Sequence, residues 1–100
     1  MRTTSSALDG LDPVLSAPKR LGIMAVLTSS TSVDFAFLRA HLGISDSDLS
    51  KQASVLESAG YLTITKSGRG RGATTAYKTT KPGRQAYQQH CAALRGLLGE

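Results

Sequence analysis

Apolar residues recur along this chain with two different periods, and the changes of period mark its elements. From Pro18 onward Leu21, Met24, Ala25 and Leu27 fall at helical spacing, with Ile23 and Val26 widening the stripe, so a well-buried helix is expected. Gly22 inside it costs about 0.5–1 kcal/mol relative to Ala, which a closely crossing helix would offset. Upstream, residues 1–10 are small and polar apart from Leu8 and read as a flexible arm. Asp12-Pro13 reads as an N-cap and first helical position, opening a short helix through about Ser16.

Past the polar loop Thr28–Ser32, Val33 is placed in a short strand and Asp34 caps the next helix. Phe35, Leu38 and Leu42 form one face of that helix, and Gly43 is suited to end it with positive φ. Ser45 with Asp48 three positions on resembles a capping box. The following helix, about Asp46 to Ala59, carries Leu49, Ala53 and Leu56 on one stripe and Ser47, Ser50, Lys51 and Ser54 on the other. Gly60 closes it. The period then changes to two. Tyr61–Thr65 alternates apolar and polar β-formers, and Thr74–Thr79 is a second β-prone run, so the pair predicts a hairpin. Its tip is Ser67-Gly68-Arg69-Gly70-Arg71-Gly72. A last helix starts near Thr80, with Pro82 tolerated in its first turn. There Tyr87, Cys91, Leu94 and Leu98 make a narrow apolar seam at near-heptad spacing, flanked by His90 and Leu97. Such a seam packs either on its own core or on a second helix from another copy. Being terminal, with little core left to cover, it favours the second.

Composition adds a sign to this pattern. With 40% hydrophobic residues in 100, the chain makes one domain with a single modest core. Lys and Arg number 12 against 7 Asp and Glu. Between Glu57 and Glu100 there is no acid, but Lys66, Arg69, Arg71, Lys78, Lys81, Arg84 and Arg95 all occur. A field of that sign favours a polyanion. The single cysteine, Cys91, excludes an intramolecular disulfide and a cysteine metal cluster. No run is long and apolar enough to span a membrane and no signal-peptide h-region follows Met1, so a cytoplasmic, non-membrane protein is expected.

The order helix, glycine turn, helix, hairpin carries the functional reading. A helix-turn-helix offers its second helix as a rod of suitable width for the DNA major groove. Ser47, Ser50 and Ser54 are short enough to let that rod approach the bases, and Lys51 can reach a phosphate or a guanine. Lys66, Arg69 and Arg71 on the hairpin can follow the backbone or enter a minor groove. The expected fold is α+β, mainly α: a winged helix-turn-helix with a two- to three-stranded antiparallel wing sheet. Residues 1–10 are the arm and 11–100 the domain, with the helix-turn-helix at about 35–59, the wing at about 61–79 and the C-terminal helix at about 80–98.

The chain resembles the small single-domain winged-helix regulators related to the MarR and ArsR groups over about residues 11–98. The residues that carry the likeness are Leu11-Asp12-Pro13-Val14-Leu15-Ser16-Ala17-Pro18-Lys19-Arg20-Leu21, Val33-Asp34-Phe35-Ala36-Phe37-Leu38, Leu42-Gly43-Ile44-Ser45-Asp46-Ser47-Asp48-Leu49-Ser50-Lys51-Gln52, Leu56-Glu57-Ser58-Ala59-Gly60-Tyr61-Leu62 and Thr80-Lys81-Pro82-Gly83-Arg84-Gln85-Ala86-Tyr87. The resemblance implies a homodimer binding double-stranded DNA to regulate transcription. Terminal residues including Leu11, Tyr87, Cys91, Leu94 and Leu98 would form the interface. By position it assigns Asp46, Ser47, Asp48, Ser50, Lys51 and Ser54 to the groove. Two features depart from the family pattern: Asp48 stands where a neutral polar residue is common, and Lys51 is the one cation of that helix.

Sharper chemistry is discounted. His41 and His90 lack partners at metal-ligand spacing and read as surface or interface histidines. Cys91 reads as a small hydrophobe, not a redox sensor. Gly68, Gly70 and Gly72 lack the spacing and the Lys-Ser/Thr of a phosphate loop. Asp46 and Asp48 have no partner base or nucleophile and read as caps, so no enzyme, cofactor or metal is expected. No polar cluster marks an effector pocket. A protein-docking or RNA-binding module remains the alternative, since the arginine-glycine tip suits single-stranded RNA as well.

Overall fold

A computed structural model describes residues 8–30, 32–68 and 74–100. Seven elements follow one another: α1 (Pro18–Thr28), β1 (Val33–Asp34), α2 (Phe35–Leu42), α3 (Asp46–Ser58), β2 (Leu62–Ser67), β3 (Thr74–Thr79) and α4 (Lys81–Leu98). The strands form one antiparallel sheet in the order β1-β3-β2. This is the mainly helical α+β winged-helix architecture.

Local chemistry sets the boundaries. The Asp34 carboxylate accepts from Phe37 N at 2.7 Å and so starts α2. Gly43 ends it in the left-handed region at φ 64°, sending its N–H to Arg39 O. Ser45 Oγ then accepts from Asp48 N at 3.1 Å to start α3. The Asp48 side chain turns elsewhere, so only half of the capping box forms.

The N-terminal expectation needs correction. Residues 13–16 form a turn, not a short helix. Asp12 Oδ1 accepts from Val14 N at 2.8 Å, and Asp12 O from Leu15 N at 3.1 Å. Pro18 then forces Ala17 to an extended conformation, with ψ 127°. The stretch is too short to offset the cost of nucleating a helix. The turn instead drives Leu15 fully into the core.

That core joins Leu15 to Ile23, Met24 and Leu27 of α1, Leu38 of α2, Leu49, Ala53 and Leu56 of α3, and Leu62 and Tyr77 of the sheet. Gly22 meets the crossing helix its sequence called for: a Cβ there would lie 3.1 Å from Leu42 Cδ2. The closest approach is at Gly83 of α4, where a Cβ would sit 2.0 Å from Tyr61 O. Thr80 completes this junction. Its hydroxyl accepts from Gly83 N at 3.0 Å and donates to Gly60 O at 2.6 Å, capping α4 while satisfying the end of α3. The root of the hairpin is thereby fixed to both helices. Among the described residues no helix is long and apolar enough to cross a membrane.

Candidate nucleic-acid interface

The burial of Leu49, Ala53 and Leu56 turns Ser47, Ser50, Lys51 and Ser54 of α3 to solvent. The hairpin register places Lys66 opposite Thr75 and Ile64 opposite Tyr77. Ser50 and Ser54 of α3, Lys66 of β2 and Thr75 of β3 then converge on one cleft of about 160 Å³, floored by Phe35, Ile64 and Tyr77. The helix and the hairpin thus share a polar-rimmed opening with one cation. Thr75 was missed from the sequence, although strand alternation puts it on the same face as Tyr77. Arg69 and Arg71 lie outside the described residues.

The two first-turn acids of α3, Asp46 and Asp48, are paired with earlier helices. Arg39 Nε lies 2.9 Å from Asp46 Oδ1. Asp48 pairs with the Lys19 ammonium and accepts from Gln52 Nε2 at 3.0 Å. The Lys19 hydrogen bond, helped by Gln52, holds the Asp48 carboxyl below its ordinary value against the opposing effect of desolvation. Both acids also sit in the first turn of α3, where negative charge complements the helix dipole. Their place in a cationic protein therefore has a structural reason.

The proposed interface residues divide. Leu11, Tyr87, Cys91 and Leu94 are half-buried within the chain, and Tyr87 packs against the core. Leu98 is 62% exposed and its neighbour Leu97 41%. Burial pushes the Tyr87 phenol above its ordinary pKa. His90 departs from its expected surface or interface position: it is 2% exposed, and its Nδ1 accepts from Asp12 N at 2.9 Å. The N-terminal turn covers this side of α4. Asp12 also accepts from the Tyr61 hydroxyl at 2.5 Å, and this bond, with burial, pushes the phenol up to about 12.

The profile of the winged helix DNA-binding domain family matches residues 19–98, and the chain belongs to that family. No curated protein sequence matches the chain. Among solved structures it is similar to a transcriptional regulator homologue from Pyrococcus horikoshii OT3, with a TM-score of 0.80 and 24% identity over 86% of this chain and 85% of that one. It is similar also to the Mycobacterium tuberculosis transcriptional regulator MosR, solved in complex with DNA, with a TM-score of 0.72 and 20% identity over 93% of this chain and 66% of that one. The zinc-responsive MarR family member ZitR of Lactococcus lactis gives a TM-score of 0.65 and 12% identity over 99% of this chain and 65% of that one. These likenesses establish a shared fold.

Proposed function

We propose that the protein is a transcriptional regulator that binds double-stranded DNA sequence-specifically as a homodimer. In this reading α3 enters the major groove, with Ser47, Ser50, Lys51 and Ser54 toward the bases. The hairpin, with Lys66 and with Arg69 and Arg71 that the sequence places between β2 and β3, lies on the backbone or in the minor groove. The exposed leucines of α4, with Leu11, Tyr87, Cys91 and Leu94 behind them, join two copies. One observation carries the reading: α3 and the hairpin bring Ser50, Ser54, Lys66 and Thr75 to a common cleft, so groove and backbone can be touched together. Membership of a DNA-binding family supports it, as does the fold shared with a regulator solved on DNA.

Selection of bound sequences from a random duplex pool tests it. An inverted repeat is expected, with half-site centres about one helical turn, roughly 34–36 Å, apart. A pool that shows no enrichment, together with no duplex binding at low salt, would overturn the reading.

A further inference from the structure

The side of α3 away from the hairpin is fastened, and the fastening has one branching point. Arg20 of α1 donates from Nε to Val14 O at 2.7 Å and from Nη1 to Gln52 Oε1 at 2.8 Å. Gln52 in turn donates from Nε2 to Asp48 Oδ1, whose other oxygen is taken by Lys19. Both ends of the Gln52 amide are thus engaged inside the protein. A free glutamine at this edge of α3 could read adenine, but this one is occupied.

The other arm of Arg20 reaches an anchor that is itself pinned. The Val14 carbonyl belongs to the turn organised by Asp12, which binds Val14 N, the Tyr61 hydroxyl and His90 Nδ1. An unbroken run of hydrogen bonds therefore leads from α4 through the N-terminal turn to α3. A guanidinium holds two acceptors at a fixed spacing, which an ammonium cannot do.

We propose that Arg20 is a positioning residue for DNA recognition, fixing the roll and pitch of α3 through Gln52 so that its outer face meets the bases in register. This rests on the reading of α3 as the groove helix. Leu49, Ala53 and Leu56 keep α3 on the core without Arg20, but apolar packing alone permits small rolls. Useful recognition geometry tolerates roughly 0.5 Å and 10–20°. The effect of losing Arg20 therefore falls on discrimination between sequences more than on folding.

The test uses the full chain, the duplex recovered from random-pool selection and a scrambled duplex of equal length. Arg20→Met is expected to lower the preference for the selected duplex about tenfold, leaving scrambled-duplex affinity and the salt slope unchanged. Arg20→Lys, which keeps the charge but not the fork, is expected to behave like Arg20→Met. Gln52→Met should lose the same preference, and the double variant no more than either single. Gln52→Met also keeps the test open should Arg20→Met fail to fold. Full discrimination by Arg20→Met or by Gln52→Met overturns the proposal. So does Arg20→Lys matching the parent while Arg20→Met lowers the salt slope, the pattern of a plain phosphate contact. A parent chain that binds no duplex defeats the functional reading itself; a parent that selects normally beside unaffected variants defeats only the positioning role.

Discussion

The two flanks of α3 both carry polar side chains, which are treated in opposite ways. Toward α1, Asp48 and Gln52 are tied to Lys19 and Arg20, and both Asp48 oxygens and both ends of the Gln52 amide are engaged. Toward the hairpin, Ser50 and Ser54 look into an open cleft with Lys66 and Thr75, and these four make no side-chain hydrogen bond among the described residues. The contrast teaches which polar groups are structural. Groups paired within the chain have already exchanged water for protein, so using them on a ligand costs the pair they leave. Hydrated hydroxyls and a solvated ammonium carry no such prior bond. Serines also lose little rotamer freedom on docking. Position is set by one flank and contact is left to the other.

The strongest way to break this contrast is to move the junction beneath both flanks. Tyr61 feeds the fastened side through Asp12 and immediately precedes β2 on the other, and Gly83 lets α4 lie on its carbonyl. In Gly83→Ala the new methyl carbon would meet Tyr61 O at 2.0 Å. A backbone atom cannot rotate out of the way. The loss is expected at the upper end of overpacking costs, about 3 kcal/mol, or on the order of 15 °C in Tm for a domain of this size. Thermal and urea unfolding measure it. A Tm within a few degrees of the parent would mean that α4 slides freely over Tyr61.

A smaller change separates the flanks by pH. The Tyr61 phenol titrates at about 12 against an ordinary 10.0. Its neutral form is favoured in the folded state. Its contribution is therefore complete below pH 10 and lost as pH rises from 10 to about 12. Burial raises Tyr77 and Tyr87 as well, so Tyr61→Phe should make the alkaline decline shallower without abolishing it. At neutral pH it should cost about 1 kcal/mol for the lost bond to Asp12. At the acid end the depressed Asp48 works with the opposite sign: its contribution is present above the ordinary 3.8 and lost as pH falls through its folded value. Urea midpoints followed from pH 9 to 12 decide the first point. A Tyr61→Phe curve parallel to the parent throughout would remove Tyr61 as the cause.

The open flank and the caps were legible in the sequence because their signals are local. Asp34, Gly43 and Ser45 act within three or four residues, and Leu49, Ala53 and Leu56 follow one helical stripe. The fastened flank was not legible. Arg20 and Gln52 are 32 positions apart, and Asp12 and His90 are 78 apart. No periodicity encodes such pairs. His90 beside an apolar seam looks like an interface residue until the turn that covers it is known. The misread opening helix has a similar origin: Asp12-Pro13 is a fair helix start, but Pro18 leaves no room to continue. Asp46 and Asp48 read from the sequence as caps, while their partners Arg39 and Lys19, on other helices, were out of view.

The mildest substitution on stability gives the sharpest reading of the open flank. Lys66 is exposed, makes no ion pair among the described residues, and sits at the rim of the cleft opposite Thr75. Lys66→Gln keeps a polar side chain, one atom shorter, and removes the charge. Among the described residues nothing is left unpartnered by it, so unfolding free energy should shift by no more than about 0.5 kcal/mol. If Lys66 meets a DNA phosphate, the dependence of log affinity on log salt should become shallower by about 0.9 per subunit, since one counterion fewer is released. The loss should be the same for selected and scrambled duplexes, because a phosphate carries no sequence information. Arg20→Met is expected instead to lower the preference for the selected duplex and to leave the salt slope unchanged. If Lys66→Gln instead lowered sequence preference with the salt slope intact, contact and positioning would not divide between the two sides of α3.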